Sequence, residues 1–276
     1  MSDPLTAAGL AMVIILSIVS KNPLTSSMPP ALPLNPTEFT ARFEVAARKA
    51  GFRIEPYGTI HGHALAAYTK RTPGIRPRVY LSAGIHGDEP APPYALLRLI
   101  ETGVLDERCN WFVCPLLNPV GFTRGTRENH GKVDLNRDYK EPLSTEIRDH
   151  IAWLKHQPNF DLIVCVHEDW EAQGFYLYEL NAENLPALAY VMLDAARSHC
   201  PIEPATVIDG RAIAEPGIIR PVGDPLLRET WPEAIYLRNF HAKLIYTTET
   251  PSALPLGQRI TTHCAVLTAA LDEFCR

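Results

Sequence analysis

The sequence predicts an α/β fold with a mixed, mostly parallel central sheet and helices on both faces. Two observations lead to this prediction. Apolar runs of strand length alternate along the chain with segments whose apolar residues recur at helical spacing. The strand-like runs are apolar throughout instead of alternating with polar residues, which is typical of parallel strands buried on both faces.

The predicted elements follow one another regularly after residue 36. The first helix lies in PTEFTARFEVAARKAGF, with Thr37 as its candidate cap and Gly51 as its end. The predicted strands are 78–85, 110–119, 160–168 and 242–251, and the later predicted helices are 92–103, 144–156, 185–199 and 258–276. Residues 200–232 lack periodicity and are rich in Pro and Gly, which predicts a long surface excursion of the kind that is often functional.

The chain divides into an N-terminal segment, residues 1–36, and one domain, residues 37–276. Residues 7–20 are strongly apolar but shorter than the roughly 20 residues of a membrane span, and residues 22–36 are rich in Pro and Ser. The segment is either untranslated or disordered, with Met28 as the true start, or an export signal or anchor. We expect a cytoplasmic protein in the first case. In the second case we expect a periplasmic or membrane-anchored one, and only then membrane contact.

Composition and charge argue against a nucleic-acid partner. The net charge is −5 and no basic run exceeds a few residues, so the electrostatic footprint of a nucleic-acid binder is missing. The six cysteines form no CxxC pair and have no zinc-finger spacing. Cys114 and Cys165 lie in strand-like runs and are expected in the core. A reducing compartment is mildly favoured, although the even number of cysteines leaves disulfides open.

Chemically active side chains stand at the ends of three predicted strands. His86 and Glu89 follow the first strand, His167 ends the third, and Glu249 ends the fourth. Sites in open α/β sheets form outside the carboxyl ends of the strands, so we expect these side chains to meet. Two imidazoles and one carboxylate leave Zn²⁺ a fourth position for water, and Glu249 remains as the general base. Each residue alone is explained as an ordinary loop or rim residue, but the combination indicates a metal site.

Arginines are concentrated in the loop between the second and third strands, LNPVGFTRGTRENHGKVDLNRDY, residues 117–139. Arg124, Arg127, Asn136 and Arg137 lie there with glycines between them. The planar guanidinium matches a carboxylate bidentately. An Arg-rich loop in isolation is usually solvated, but beside a zinc site it indicates an enzyme that holds a terminal carboxylate.

These blocks resemble the zinc carboxypeptidase family, the carboxypeptidase A-like metallopeptidases, whose superfamily also holds succinylglutamate desuccinylase and aspartoacylase. The matching stretches are HGDE, NPVGFTRGTRENHGKVDLNRDY, VHE and TTETP, in family order between residues 78 and 251. The resemblance implies a zinc-carboxypeptidase-like, phosphorylase/hydrolase-like sandwich. It also implies that residues 37–276 form the catalytic domain.

The resemblance implies a role for each matching residue. His86, Glu89 and His167 would bind one zinc ion per chain. Asn136 and Arg137 would hold the terminal carboxylate of the substrate. Arg127 would stabilise the oxyanion, and Arg124 is the competing candidate. Arg127 is preferred because the spacing of RENHGKVDLNR fits the bacterial members better. Glu249 would activate the water and then protonate the leaving amine.

The implied function is that of a zinc-dependent metallocarboxypeptidase. It would hydrolyse the amide bond next to a free carboxylate in a small peptide, cell-wall peptides included, by metal-activated water. The alternative is a zinc-dependent N-acyl amino-acid deacylase of the desuccinylase or aspartoacylase type, with an acyl amino acid as substrate. The glutamate after the third ligand, Glu168, differs from the HT context expected of that branch. A non-catalytic binding protein is disfavoured because all ligands and the base are present.

Several neighbouring residues remain open. Tyr236 is the nearest candidate for a loop tyrosine ahead of the base, but its context matches poorly. One of Glu168, Asp169 and Glu171 would orient a ligand histidine, or all three are solvated. An aromatic set could line the substrate pocket, although we expect at least half of it to pack the sheet: Trp170, Phe175, Tyr176 and Tyr178.

Overall fold

The computed structural model describes residues 34–213 and 215–276. Its strands are β1 (Arg53–Ile60), β2 (His63–Lys70), β3 (Arg78–Ala83), β4 (Asn110–Cys114), β5 (Leu162–Asp169), β6 (Tyr176–Asn181), β7 (Val207–Ile208), β8 (Arg211–Ala212), β9 (Ile218–Ile219) and β10 (Leu244–Pro251). Its helices are α1 (Pro36–Lys49), α2 (Ala91–Glu101), α3 (Pro119–Arg124), α4 (Thr145–Leu154), α5 (Ala189–Arg197), α6 (Glu233–Phe240) and α7 (Leu256–Phe274).

Eight strands form one mixed sheet in the order β1-β2-β4-β3-β5-β10-β6-β9. The central strands β4, β3, β5 and β10 are parallel, and β6 joins antiparallel to β10. The β1–β2 hairpin adds antiparallel pairs at one edge. The predicted mixed, mostly parallel sheet is therefore confirmed. The parallel centre brings the carboxyl ends of β3, β5 and β10 to one edge, where sites form.

The sheet is buried on both faces, as its continuous apolar strands predict. Alternate residues of β5 point to opposite sides: Val164 packs in the core under α1, α2, α5 and α7, whereas Cys165 packs in the core under α4 and α6. Cys114 is buried on the same side as Cys165, so both cysteines are the core residues that the sequence predicts.

Helix α1 starts two residues earlier than predicted. Asn35, and not Thr37, is the N-cap, because its side-chain oxygen accepts hydrogen bonds from the backbone N–H groups of Thr37 and Glu38. The apolar residues Phe39, Phe43 and Ala47 recur at four-residue spacing and are buried.

Other boundaries shift for local reasons. The strand predicted over 110–119 ends at Cys114, because Pro115 interrupts it and Pro119 opens α3. The β1–β2 hairpin was not predicted. Pro56 and Gly58 disfavour a strand, but a register shift between them accommodates both residues in β1.

The predictions for residues 1–33 lie outside the described residues. Leu34, which the predicted boundary leaves outside the domain, packs in the core beside α1. No helix in the described part of the chain is long and apolar enough to cross a membrane. The compartment stays a prediction.

Candidate active site

The sheet topology places the predicted site residues at one edge. His86 follows β3 after a two-residue turn, and His167 lies near the end of β5. Glu249 lies opposite His167 in the register between β10 and β5. The neighbouring order β3-β5-β10 therefore brings three segments that are distant in sequence to one point.

Three of these side chains converge on a single point. Ligand atoms of His86, Glu89 and His167 all lie within 4.8 Å of one another, and all three residues are buried. Glu89 bridges the pair: its Oε1 is 2.5 Å from His86 Nδ1 and its Oε2 is 3.1 Å from His167 Nδ1. Two imidazole nitrogens and a carboxylate oxygen are the donors that zinc prefers, and they leave a fourth position for water or substrate.

Gly87 allows the loop that carries His86 and Glu89 to approach α3 closely. A Cβ built at Gly87 would lie 2.0 Å from the carbonyl carbon of Gly121, so no other residue fits without displacing the backbone. The close contact with α3 therefore explains why a glycine follows His86. The same contact fixes the direction in which the chain at His86 leaves β3.

Asp134 connects the candidate metal ligands to the Arg-rich loop, residues 117–139, and the sequence reasoning missed it. Its carboxylate lies 3.2 Å from His86 Nε2 and accepts a 3.1 Å hydrogen bond from Arg127 Nε. It also accepts from the backbone N–H of Asn136 and so caps the 3₁₀ turn Leu135–Arg137. A carboxylate on the distal nitrogen fixes the tautomer and orientation of a metal-binding histidine. The Asp two residues before Asn136 was the available signal.

The ligand set is electrostatically prepared for a cation. Burial by itself lowers the pKa of His86, but the carboxylates of Glu89 and Asp134 outweigh it and raise that pKa to about 9. A proton and a metal ion would therefore compete for His86, and binding of an ion there would release a proton. The donor types, their burial and the carboxylate behind His86 all fit a divalent metal.

Glu249 is a half-buried carboxylate beside this set. Burial raises its pKa well above the usual range, with further contributions from Glu89 and Asp169, while His167 and Arg127 act in the opposite direction. A carboxylate with a raised pKa is suited to accept a proton and pass it on, which is what a general base needs.

The two candidate arginines for the oxyanion role have different surroundings. Arg127 lines the pocket, and its Nη1 lies 3.3 Å from His86 Nδ1 and 3.7 Å from Glu89 Oε1. Arg124 is exposed, donates to the backbone oxygen of His130, and does not line the pocket. The geometry thus favours Arg127, whose backbone is held by a hydrogen bond from Asn118 Nδ2 to its carbonyl oxygen.

Asn136 and Arg137 line the same pocket as the candidate metal ligands. Asn136 Oδ1 accepts a 2.9 Å hydrogen bond from the backbone N–H of Glu233, at the start of α6. This bond leaves the amide nitrogen of Asn136 as the group that can donate to a ligand. The guanidinium of Arg137 is exposed and donates only to the carbonyl of Asn136 among the described residues.

The pocket has a volume of about 220 Å³ and is partly aromatic. Trp170, Tyr176 and Tyr178 line it, whereas Phe175 is fully buried in the core. Tyr176 is itself 3% exposed and packs as well as lining the pocket. Tyr236 does not line the pocket. It packs against Tyr139 and Phe240 under the sheet, so the loop-tyrosine assignment has no structural basis.

Glu168 is neither solvated nor in contact with a ligand histidine. Its side chain is fully buried, forms an ion pair with Arg259 of α7, and accepts a 2.6 Å hydrogen bond from the backbone N–H of Ala91. Asp169 accepts from the hydroxyl of Tyr176, and Glu171 is exposed. The carboxylate that contacts a candidate ligand histidine is Asp134 instead, and of the three acidic residues after His167 only Glu171 is exposed as the solvated alternative expected.

Removal of Asp134 is expected to weaken metal binding. In Asp134→Ala, His86 loses the carboxylate that orients it and raises its basicity, so zinc affinity should fall about 10- to 100-fold. Asp134→Asn retains a side-chain oxygen for the Asn136 N–H and should lose less. Competition with a chromophoric chelator measures both affinities. Unchanged zinc affinity in the alanine variant would contradict the role assigned to this carboxylate.

Removal of Arg259 is expected to destabilise the fold. In Arg259→Leu the buried carboxylate of Glu168 loses its counter-charge, which typically costs about 3–5 kcal/mol in the free energy of unfolding. The matched double variant Glu168→Gln/Arg259→Leu removes both charges and should recover much of this loss. Urea unfolding gives the values, and a loss below about 1 kcal/mol in the single variant would show that the pair contributes little.

Comparison with known proteins gives relatives of two kinds. The family model of the succinylglutamate desuccinylase/aspartoacylase catalytic domain matches residues 75–175. Candidate metallopeptidases from Shewanella amazonensis and Shewanella baltica are similar in structure, with 25% and 26% identity and a TM-score of 0.76 for each. The alignments cover 86% and 87% of this chain and 92% of either relative. No curated protein gives a significant match.

More distant structures share the fold. A metallo-carboxypeptidase from Burkholderia cenocepacia is 19% identical with a TM-score of 0.63, over 86% of this chain and 69% of that one. This likeness shows the fold alone, but the family model and the Shewanella structures together support a place in the zinc carboxypeptidase-like superfamily, which includes the desuccinylase and aspartoacylase branch. The resemblance seen in the sequence is thereby confirmed at the level of the superfamily.

Proposed function

We propose that the protein is a zinc-dependent metallocarboxypeptidase. It hydrolyses the amide bond next to a free carboxylate in a small peptide, with cell-wall peptides among the candidate substrates. One observation carries the proposal: the His86–Glu89–His167 set, the carboxylate of Glu249 and the Asn136–Arg137 pair line a single pocket. A ligand set alone would suit many metalloproteins, but a base and a carboxylate clamp beside it suit a hydrolase.

His86, Glu89 and His167 would hold the metal, which would supply Lewis acidity and lower the pKa of a bound water. Glu249 stands beside that set and takes the proton from the attacking water. The same carboxyl group then donates the proton to the leaving amine. A single carboxyl group can serve both steps, because it is a base in its ionised form and an acid once it has taken the proton.

Arg127 stabilises the negative charge that develops on the scissile carbonyl oxygen. Its guanidinium is held by Asp134 and lies beside the ligand atoms, so the donor is oriented before the reaction begins. Loss of one such donor typically costs about 2.7–4 kcal/mol of transition-state stabilisation. Asn136 and Arg137 bind the terminal carboxylate and thereby set the distance from it to the reacting bond.

The second candidate is an N-acyl amino-acid deacylase of the desuccinylase or aspartoacylase type. The family-model match over residues 75–175 favours it, since that stretch contains all three candidate metal ligands. The same base, oxyanion donor and carboxylate clamp would serve this reaction, because its substrate also has a free carboxylate next to an amide bond. The two candidates differ in the acyl side of that bond.

Substrate panels separate these candidates. Zinc-loaded protein is incubated with a first panel of dipeptides and muropeptides, and separately with a second panel of N-acetyl and N-succinyl amino acids. A metallocarboxypeptidase releases C-terminal residues from the peptides, a chelator abolishes this release, and added zinc restores it. Selective hydrolysis of the acyl amino acids would establish the deacylase. No hydrolysis of either panel by zinc-loaded protein would overturn both proposals.

A further inference from the structure

Glu233 is a buried carboxylate next to the active-site pocket, and the proposed mechanism does not use it. It is the first residue of α6, and only 1% of it is exposed. Its neighbours Pro232, Ala234 and Ile235 line the pocket, whereas Glu233 itself does not. A carboxylate buried in this way costs free energy unless it is hydrogen-bonded, so its partners indicate what it does.

Two hydroxyl groups of β3 hold the carboxylate of Glu233. The Tyr80 hydroxyl donates a 2.8 Å hydrogen bond to Oε1, and the Ser82 hydroxyl donates a 2.8 Å hydrogen bond to Oε2. Burial raises the pKa of Glu233, and these two donors act in the opposite direction. Because β3 leads directly to His86, the carboxylate attaches the start of α6 to the strand that precedes the candidate metal ligands.

A neutral histidine extends this buried network. His150 of α4 lies between two tyrosine hydroxyls, with Nε2 3.0 Å from that of Tyr80 and Nδ1 2.8 Å from that of Tyr139. Burial lowers the pKa of His150 to about 3, so its ring has one N–H donor and one acceptor nitrogen. Because Tyr80 donates to Glu233, the Nε2–H of His150 donates to Tyr80. His150 Nδ1 then accepts from Tyr139, and every member of the buried network has a partner.

Tyr139 connects the buried network to the segment that carries the carboxylate clamp, Asn136 and Arg137. The backbone N–H of Tyr139 donates a 3.2 Å hydrogen bond to the carbonyl oxygen of Trp231. Asp138 and Trp231 also form a parallel β-bridge. The segment that follows the clamp and the segment that precedes α6 therefore lie side by side, and the buried network holds both.

Asn136 caps α6 although it is distant in sequence. The N-cap residue Pro232 provides no side-chain hydrogen bond, and Asn136 Oδ1 accepts from the backbone N–H of Glu233 at 2.9 Å instead. This bond determines which end of the amide is free: the oxygen faces the helix and the nitrogen is available to a ligand. A carboxylate only accepts hydrogen bonds, so the clamp requires this orientation of Asn136.

We propose that Glu233 is a positioning residue for the carboxylate clamp. Its side chain, anchored to Tyr80 and Ser82, holds the start of α6 where the backbone N–H orients the amide of Asn136. This inference rests on the proposed function, in which Asn136 and Arg137 bind the terminal carboxylate of the substrate. Glu233 does not line the pocket, so its loss should weaken binding of that carboxylate and leave the metal ligands and the base in place.

A double-variant cycle tests whether Glu233 acts through Asn136. Zinc-loaded protein is assayed with a peptide of the first panel that the wild type hydrolyses. Glu233→Ala should raise KM about 10-fold, within the range of a hydrogen bond to a charged group, with little change in kcat and in zinc content. Asn136→Ala should raise KM at least as much. The double variant should have the KM of Asn136→Ala alone, because no amide remains to be oriented.

The opposite result of this cycle is equally clear. If KM of the double variant rises to the product of the two single effects, Glu233 contributes to the structure independently of Asn136, and the inference is overturned. The matched control Glu229→Ala removes an exposed carboxylate just before α6 and should keep the wild-type KM.

Two further variants separate positioning from folding. Glu233→Gln keeps the volume of the side chain and still accepts one hydrogen bond, so its KM should return to within about threefold of the wild-type value. If Glu233→Ala does not fold, Tyr80→Phe takes its place, because it keeps the ring and removes only the hydroxyl that holds Glu233 Oε1. Its KM should rise, and should not rise further when Asn136→Ala is added. An unchanged KM in the folded variant would overturn the inference.

A binding measurement separates this inference from the proposed function. Calorimetry compares butyrate with butyramide on the zinc-loaded protein, and no turnover is needed. The wild type should bind the carboxylate more tightly than the amide, and this preference should fall about 10-fold in Glu233→Ala and in Asn136→Ala. Any contact of butyrate with the metal is common to all three proteins and does not affect the comparison.

The outcomes of the binding measurement are distinct. A preference for butyrate that depends on Glu233 and Asn136 supports the inference even if neither panel is hydrolysed, in which case only the proposed function fails. The same preference in the wild type and in Glu233→Ala, together with hydrolysis of the peptides, overturns the inference and leaves the hydrolase in place.

Discussion

Glu249→Gln is expected to abolish turnover while the protein stays folded and binds zinc. The amide preserves the size of the side chain but can neither accept a proton from the water nor pass it to the leaving amine. General-base catalysis typically contributes about 10²–10⁴-fold, so kcat should fall by at least that range. Glu249 is not one of the three converging ligands, and the zinc content should therefore be unchanged. Steady-state kinetics and metal analysis of the same sample measure both quantities.

A matched control is available in the same pocket. Glu171 lines the pocket but is exposed and has no place in the proposed mechanism, so Glu171→Gln should retain most of the wild-type kcat. The comparison separates loss of the base from a general change in pocket charge. Substantial activity in a fully metal-loaded Glu249→Gln variant would contradict the assignment of the base.

His167→Ala is expected to lose the metal. Two donors remain after the substitution, His86 and Glu89, and a zinc site of this kind needs three protein ligands. We expect bound zinc to fall from about one ion per chain to below about a tenth of that, and activity to disappear with it. Elemental analysis after dialysis against metal-free buffer gives the stoichiometry. His156→Ala removes an exposed imidazole of the same chain and should keep the ion.

Full zinc occupancy in His167→Ala would show that the ion is held elsewhere. In that case the recovery of activity on addition of zinc would also not depend on how many of the three ligands the protein retains. The two variants together distinguish the base from the metal ligands. Glu249→Gln should lose turnover but keep the metal, whereas His167→Ala should lose both.

The convergence of the candidate metal ligands was predictable because His167 lies near the end of a buried strand and His86 and Glu89 follow another. The apolar runs before His86 and before His167 identify β3 and β5, and parallel strands deliver their carboxyl ends to one edge of the sheet. Glu249 follows from the same reasoning applied to β10. The sequence did not predict that β3, β5 and β10 are neighbours, and this adjacency is what brings the three strand ends to one point.

Asp134 was missed for a physical reason. Its partners, His86 and Arg127, are 48 and 7 residues away, and only the folded loop brings the three together. No periodicity marks such a residue, since it lies in an irregular segment. The rule that a carboxylate supports a metal-binding histidine points in the sequence to the three acidic residues directly after His167, whereas the fold supplies Asp134.

The excursion over residues 200–232 shows another limit of prediction from the sequence. Its lack of periodicity correctly indicated a surface segment, but the pattern does not tell which side chains face the pocket. Arg211 and Arg228, which line the active-site pocket, are separated by 17 residues and by β9, and the short hairpin of β7 and β8 that carries Arg211 has only two residues in each strand. Contacts at the pocket wall, and not local sequence, decide where these arginines lie.

The most direct test of the account is anomalous scattering from crystals of the zinc-loaded protein, measured on both sides of the zinc absorption edge. We expect one strong anomalous peak per chain, within coordination distance of His86 Nδ1, a Glu89 carboxylate oxygen and His167 Nδ1, with the carboxylate of Glu249 facing its open side. A peak at another place in the chain, or crystals in which these three side chains surround no metal after loading, would contradict the account.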